Sequence, residues 1–254
     1  MSELRIEVVQ SVAVLTLSNP AKRNALDPNL LDALCTQLAQ LPREGVRAVV
    51  LTGEGDQAFS SGYDLSALPE AVGTLTENPL ERALAAIADG ELPVIAALNG
   101  KAIGGGCELA ATCDLRVAHP EVTLTMPPVR LGIVYAPRGL QRFVALIGLS
   151  RTRELFLTAQ PVSAERALGW GLVDRVVPAA EVRATALALA AEIARGAPLA
   201  IAGTRRTLER LLPALAPEVQ AELELLRAQA WTSDDAREAR AAFREKRPPR
   251  FFGR

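Results

Sequence analysis

The residues best suited to chemistry lie in 93–114, PVIAALNGKAIGGGCELAATCD. An apolar run ends at Asn99-Gly100, three consecutive glycines follow, and residues 105–112 can start a helix with Glu108 in its first turn. Consecutive glycines let a ligand approach main chain, and a helix start leaves N–H groups unpaired and polarised positively. Such a turn suits an anion or an oxyanion; a tight turn without a ligand is the plain alternative. It is not a dinucleotide fingerprint, because the third position after Gly106 is Leu109, nor a P-loop, because no Gly-Lys-Ser/Thr follows. Residues 49–65, VVLTGEGDQAFSSGYDL, again run from a strand-like stretch into a glycine-bearing turn. Main-chain N–H groups from the two turns could converge on one carbonyl oxygen.

Composition narrows the chemistry further. His119 is the single histidine of 254 residues, so two-histidine zinc sites are excluded and any triad would depend on that one position. It lies in Ala118-His119-Pro120 and reads as a structural or exposed loop residue. Cys35, Cys107 and Cys113 have no CxxC spacing and an odd count, as expected of reduced thiols; Cys107 and Cys113 read as small core residues. A formal net charge of -1 gives no general attraction to nucleic acid or anionic membrane. No signal-peptide pattern and no run of about 18 apolar residues appear, so a soluble, cytoplasmic protein without a membrane span is expected. Only Lys22, Lys101 and Lys246 are lysines, which reads as a base-composition habit.

The elements that must position these turns read as an α/β core. Residues 5–9 and 12–17 are β-branched-rich and flank a hairpin turn at Gln10-Ser11. Asp27 can cap a helix with Pro28 in its first turn and Leu30, Leu34, Leu38 and Leu41 on one face. The apolar runs 46–51 and 94–98 suit strands covered on both faces, and 66–80 reads as a loop. Beyond 171–177 the pattern is helical: a stripe at Val182, Ala186, Leu189 and Ile193, then helices over about 199–212, 217–231 and 234–244. Residues 1–195 form the expected core and 196–254 a helical C-terminal part.

LTGEGDQAFSSGYDL followed by PVIAALNGKAIGGGCELAATCDLRVA resembles the enoyl-CoA hydratase/isomerase, or crotonase, family. NPAKRNALD, LTAQPVSAERALGWGLVDRVV and FREKRPPRF extend the match over nearly the whole chain. The resemblance implies a ββα spiral core, a C-terminal helical trimerisation region, trimers or hexamers, and an acyl-CoA thioester substrate with no permanently bound cofactor or metal. By position it makes the N–H groups of Tyr63 and Gly105 an oxyanion hole and Glu108 a catalytic carboxylate. It places Lys22, Arg23, Ala25 and Leu26 beside the CoA site. It also matches Phe243 and Lys246 to residues that reach CoA from a neighbouring subunit or from the same chain's tail.

One departure from the hydratase pattern matters. Hydratases of the family use a second glutamate in the segment corresponding to MPPVRLG, where this chain has Pro128, and proline is neither acid nor base. MPPVRLGIVYAPRGLQR, with Tyr135 and its spacing to Gly139, resembles the methylmalonyl-CoA decarboxylase branch. That implies that Tyr135 holds the leaving carboxylate or orients the acyl group; on its own it reads equally as a half-buried packing residue. Ala136-Pro137-Arg138 departs from that branch, and Arg138 reads as a substrate-carboxylate ligand or a surface ion pair. Decarboxylation of a malonyl-type carboxyacyl-CoA is the leading expectation. Hydration or dehydration by Glu108 alone is the second. A non-catalytic or RNA-associating protein using Arg205, Arg206 and the basic tail is the third.

Overall fold

The computed structural model describes residues 2–67 and 78–253. The chain opens with the expected hairpin, β1 (Glu3–Val9) and β2 (Val12–Ser18), paired antiparallel. α1 (Pro28–Gln40) follows, with the Asp27 carboxylate accepting from Leu30 N and Leu30, Leu31, Leu34 and Leu38 buried. A buried leucine contributes about 1.5–3 kcal/mol, so this face fixes the helix against the sheet. The chain then alternates: β3 (Ala48–Gly53), β4 (Ala58–Ser60), α2 (Pro79–Ala88), β5 (Val94–Leu98), β6 (Lys101–Ile103), α3 (Gly105–Thr112), β7 (Leu115–Ala118), β8 (Thr123–Thr125). Next come α4 (Pro137–Thr158), β9 (Val162–Ser163), α5 (Ala164–Trp170), β10 (Arg175–Val176), and the helices α6 (Val182–Ala194), α7 (Pro198–Arg210), α8 (Pro217–Thr232) and α9 (Asp234–Glu245).

Each turn of the spiral sends a long strand into one sheet and a short strand into another. The larger sheet has the order β1-β2-β3-β5-β7-β10 and is parallel after the first hairpin; the smaller is β4-β6-β8-β9. The larger sheet is covered on both faces, as the continuous apolar runs require. Leu15, Leu17, Val49, Leu51 and Leu98 face the main core, while Val14, Val50, Ile95 and Val117 meet α6 on the other side. The α6 stripe is Val182, Ala186, Ala190 and Ala194, with Leu189 and Ile193 only partly buried at its flanks. The expected stripe is therefore displaced by one position in its second half: alanine lets the helix approach the sheet closely, and the larger residues move to the edge.

Pro79 and Leu80, expected in a loop, begin α2, because the Asn78 side chain accepts from Leu80 N and caps the helix. The remainder of that expected loop, 68–77, lies outside the described residues. α4 was not expected at all. Gly148, with φ 76 and ψ 161, breaks it internally and rotates the buried face, which removes a continuous stripe from the sequence. Among the described residues no single helix is long and apolar enough to cross a membrane.

Candidate active site

The two glycine-bearing turns meet at the carboxyl ends of β4 and β6. Leu26 pairs across Tyr63, with Leu26 N donating to Gly62 O at 2.8 Å and Asp64 N donating to Leu26 O at 2.9 Å. These bonds use the groups either side of Tyr63 and leave its own N–H on the opposite side, towards α3. Gly105 opens α3, so its N–H is free of helix bonding. A Cβ built on Gly105 would lie 3.3 Å from Tyr63 N, and one on Gly62 would lie 3.4 Å from Gly105 N, so the two amides are neighbours. Gly62 (φ 96) and Gly104 (φ 52, ψ -121) hold backbone conformations that side chains disfavour, which is why glycine stands at both. Asn99, at the end of β5, locks the strand ends by accepting from Gly53 N and donating to the carbonyls of Gly53 and Gly55.

Glu108 is 4% exposed in the first turn of α3 and accepts a short hydrogen bond from the Tyr135 hydroxyl. Burial pushes its carboxyl up to about 7; the Tyr135 bond and the Arg142 and Arg227 guanidiniums oppose the rise, while Glu81 adds to it. Desolvation and the adjacent Glu108 raise the Tyr135 phenol well above its ordinary value, so it is a donor at neutral pH. The Tyr135 ring packs edge-on against Phe156 at 5.4 Å. Gly139 lies under the pair: a Cβ there would overlap Glu108 Oε1 and meet Tyr135 Cε1 at 2.9 Å. The fold thus brings a buried, part-protonated carboxyl, a tyrosine hydroxyl and two free amides to one place.

That place is an open cavity of about 260 Å³ whose walls include Tyr63, Gly105, Glu108, Tyr135, Trp231 and Phe243. Trp231 and Phe243 come from α8 and α9, so the C-terminal helices of the same chain wall this site. Pro128 also faces it, from a short 3-10 turn, and offers no ionisable group. Lys22, Arg23, Ala25 and Leu26 do not line the cavity. Ala25 and Leu26 are buried, Lys22 Nζ pairs with Asp64 at 2.7 Å, and Arg23 O accepts from Ser61 N, so this segment supports the turn that carries Tyr63. Lys246 terminates α9 in a left-handed conformation and is exposed, three residues beyond Phe243.

Arg138 is a surface pair: it lies 3.3 Å from Asp89 and 3.5 Å from Glu209, and does not line the cavity. His119 is buried at 8% exposure, and Cys107 and Cys113 are buried in the core. Among the described residues no group of three or more histidine, cysteine or acidic side chains could hold a metal ion. Sequence reasoning missed Glu81, Arg227 and Trp231 on the cavity wall. Asn78-Pro79-Leu80-Glu81 carries a cap-and-proline helix signal that could have placed Glu81 in a first turn. Arg227 pairs with Glu81 across 146 positions, and no local pattern announces that.

A spiral of ββα units with helices closing over a double-amide turn defines the crotonase fold. The enoyl-CoA hydratase/isomerase family model matches residues 7–254, and the chain belongs to that family of acyl-CoA enzymes. A Mycobacterium tuberculosis protein named probable enoyl-CoA hydratase echA6 is 38% identical over 98% of this chain and 99% of its own length. The Escherichia coli methylmalonyl-CoA decarboxylase is 31% identical over 98% of each chain. A structure of methylmalonyl-CoA decarboxylase with 2-nitronate-propionyl-CoA superposes with a TM-score of 0.94 at 30% identity, covering 99% of this chain and 98% of that one.

Proposed function

We propose that the protein is an acyl-CoA lyase that stabilises a thioester enolate, and that its reaction is decarboxylation of a malonyl-type carboxyacyl-CoA. The observation that carries this reading is the Tyr135 hydroxyl bonded to the Glu108 carboxyl beside the amides of Tyr63 and Gly105, with Pro128 where a second carboxylate would stand. The thioester oxygen sits between the two amides. As the C–C bond to the carboxylate breaks, its electron pair moves into the enolate and CO2 departs; no base is needed. Each amide in such a hole contributes about 3 kcal/mol to the barrier reduction. Tyr135 orients the carboxyl group, and protonated Glu108 returns a proton to the α carbon. CoA lies over Lys22, Arg23, Ala25 and Leu26, with Phe243 and Lys246 on the tail side; no permanent cofactor or metal is required. The C-terminal region from residue 196 assembles trimers or hexamers, and the protein works in the cytoplasm.

Incubation with methylmalonyl-CoA should release CO2, with Glu108→Gln and Tyr135→Phe each slowing turnover about 100-fold or more. Rapid hydration of crotonyl-CoA with no CO2 release sinks the decarboxylase reading. Hydration is the second reading, favoured by the hydratase names of relatives at 35–38% identity. Of the basic groups that the RNA-associating reading uses, Arg205 is taken up by Asp114 and the carbonyls of Gly90 and Ile87.

A further inference from the structure

Pro128 removes one carboxylate from the site, yet among the described residues two still stand in the cavity walls: Glu108 from α3 and Glu81 from the first turn of α2. Their surroundings differ. Glu108 is sealed at 4% exposure and bonded to the neutral phenol of Tyr135. Glu81 keeps 34% of its side chain accessible and sits against a cation, with Arg227 Nη2 at 2.5 Å. Arg227 is nearly buried on α8, and its second, longer partner is Glu224 at 3.4 Å. Glu81 thus has the setting of a carboxylate base that a small molecule can reach, and Glu108 that of an acid.

We propose that Glu81 is a second acid–base group of this cavity and gives the protein an enoyl-CoA hydratase activity in which Glu81 activates water and Glu108 supplies the proton. The proposal rests on the acyl-CoA reading of the cavity and not on decarboxylation. Glu81 takes a proton from water as the oxygen adds to the β carbon. The π electrons of the conjugated double bond move into an enolate held by the Tyr63 and Gly105 amides. The enolate collapses, the α carbon takes the Glu108 proton, and the proton on Glu81 returns to Glu108 through solvent, so one water is added overall. Among the described residues the charged and titratable groups around Glu81 are Arg227 and Glu224 from α8, Glu108 from α3 and Tyr135.

The ion pair also ties α2 to α8, and a clamp alone would explain its presence. The test therefore compares the two partners. Crotonyl-CoA hydration is followed in the parent and in Glu81→Gln, Glu81→Asp and Arg227→Gln, with CO2 release from methylmalonyl-CoA and CoA binding measured on the parent. A base role predicts that Glu81→Gln lowers kcat about 100-fold or more, that Glu81→Asp recovers at least about a tenth of the parent rate, and that Arg227→Gln loses far less than Glu81→Gln. The proposal is overturned if the parent does not hydrate crotonyl-CoA, if Glu81→Gln stays within about threefold of it, or if both partners lose equally. CO2 release without hydration overturns this inference alone; hydration dependent on Glu81 without CO2 release overturns decarboxylation alone; absence of CoA binding overturns both.

Discussion

Glu108 costs the fold stability when it ionises. Its carboxyl titrates at about 7 against an ordinary 4.5, so the folded chain binds a proton that the unfolded chain has already released between those values. Stability therefore falls as pH rises from about 4.5 to about 7, by roughly 3 kcal/mol in all, and stays lowered above that. Glu108→Gln should then raise Tm at pH 8 relative to the parent, with the difference vanishing at pH 4.5. Denaturation at both pH values checks it; equal Tm values at pH 8 contradict it. Activity that needs the protonated carboxyl should decline as pH rises through about 7, where the folded-state carboxyl loses its proton. Gly139 allows a separate check at this scale. Alanine there would strike Glu108 Oε1 and Tyr135, so Gly139→Ala should lower turnover at least about 10-fold while CoA affinity changes little. Glu108 and the glycines around it were legible in the sequence because local type and spacing carry them. Glu81 was not, since its meaning comes from Arg227, which is remote in sequence.

At the level of elements, the parts that announced themselves were those with a strong local period or a cap. β5 and α3 fall at 94–98 and 105–112, and α1 starts at its Asp27 cap, as read from the chain. The smaller sheet was silent because its strands are two or three residues long and show no alternation. α4 was hidden by the break at Gly148, and the second half of the α6 stripe by the sheet's demand for small residues. The turn between β6 and α3 depends on Gly104, whose N–H donates to Thr125 O at 2.8 Å and whose φ of 52 and ψ of -121 disfavour any Cβ. Gly104→Ala should cost about 1–3 kcal/mol and displace the Gly105 amide. Thermal unfolding reads the first effect and kcat the second; unchanged values in both would refute the role assigned to this turn.

For the whole molecule, the family was legible because its motifs span the chain in order, and the reaction was not, because the residues that distinguish reactions come from separate elements. Assembly belongs to this scale. Sedimentation should give three or six chain masses if the region from 196 associates as proposed, and a single mass would refute it. Salt-sensitive RNA binding should be absent, since Arg205 is consumed within the chain.

The site described above is walled by Tyr63, Gly105 and Glu108 on one side and by Trp231 and Phe243 on the other. During synthesis the turns carrying Tyr63 and Gly105 therefore emerge long before α8 and α9, which close over them. The cavity thus acquires its Trp231 and Phe243 wall only when α8 and α9 dock.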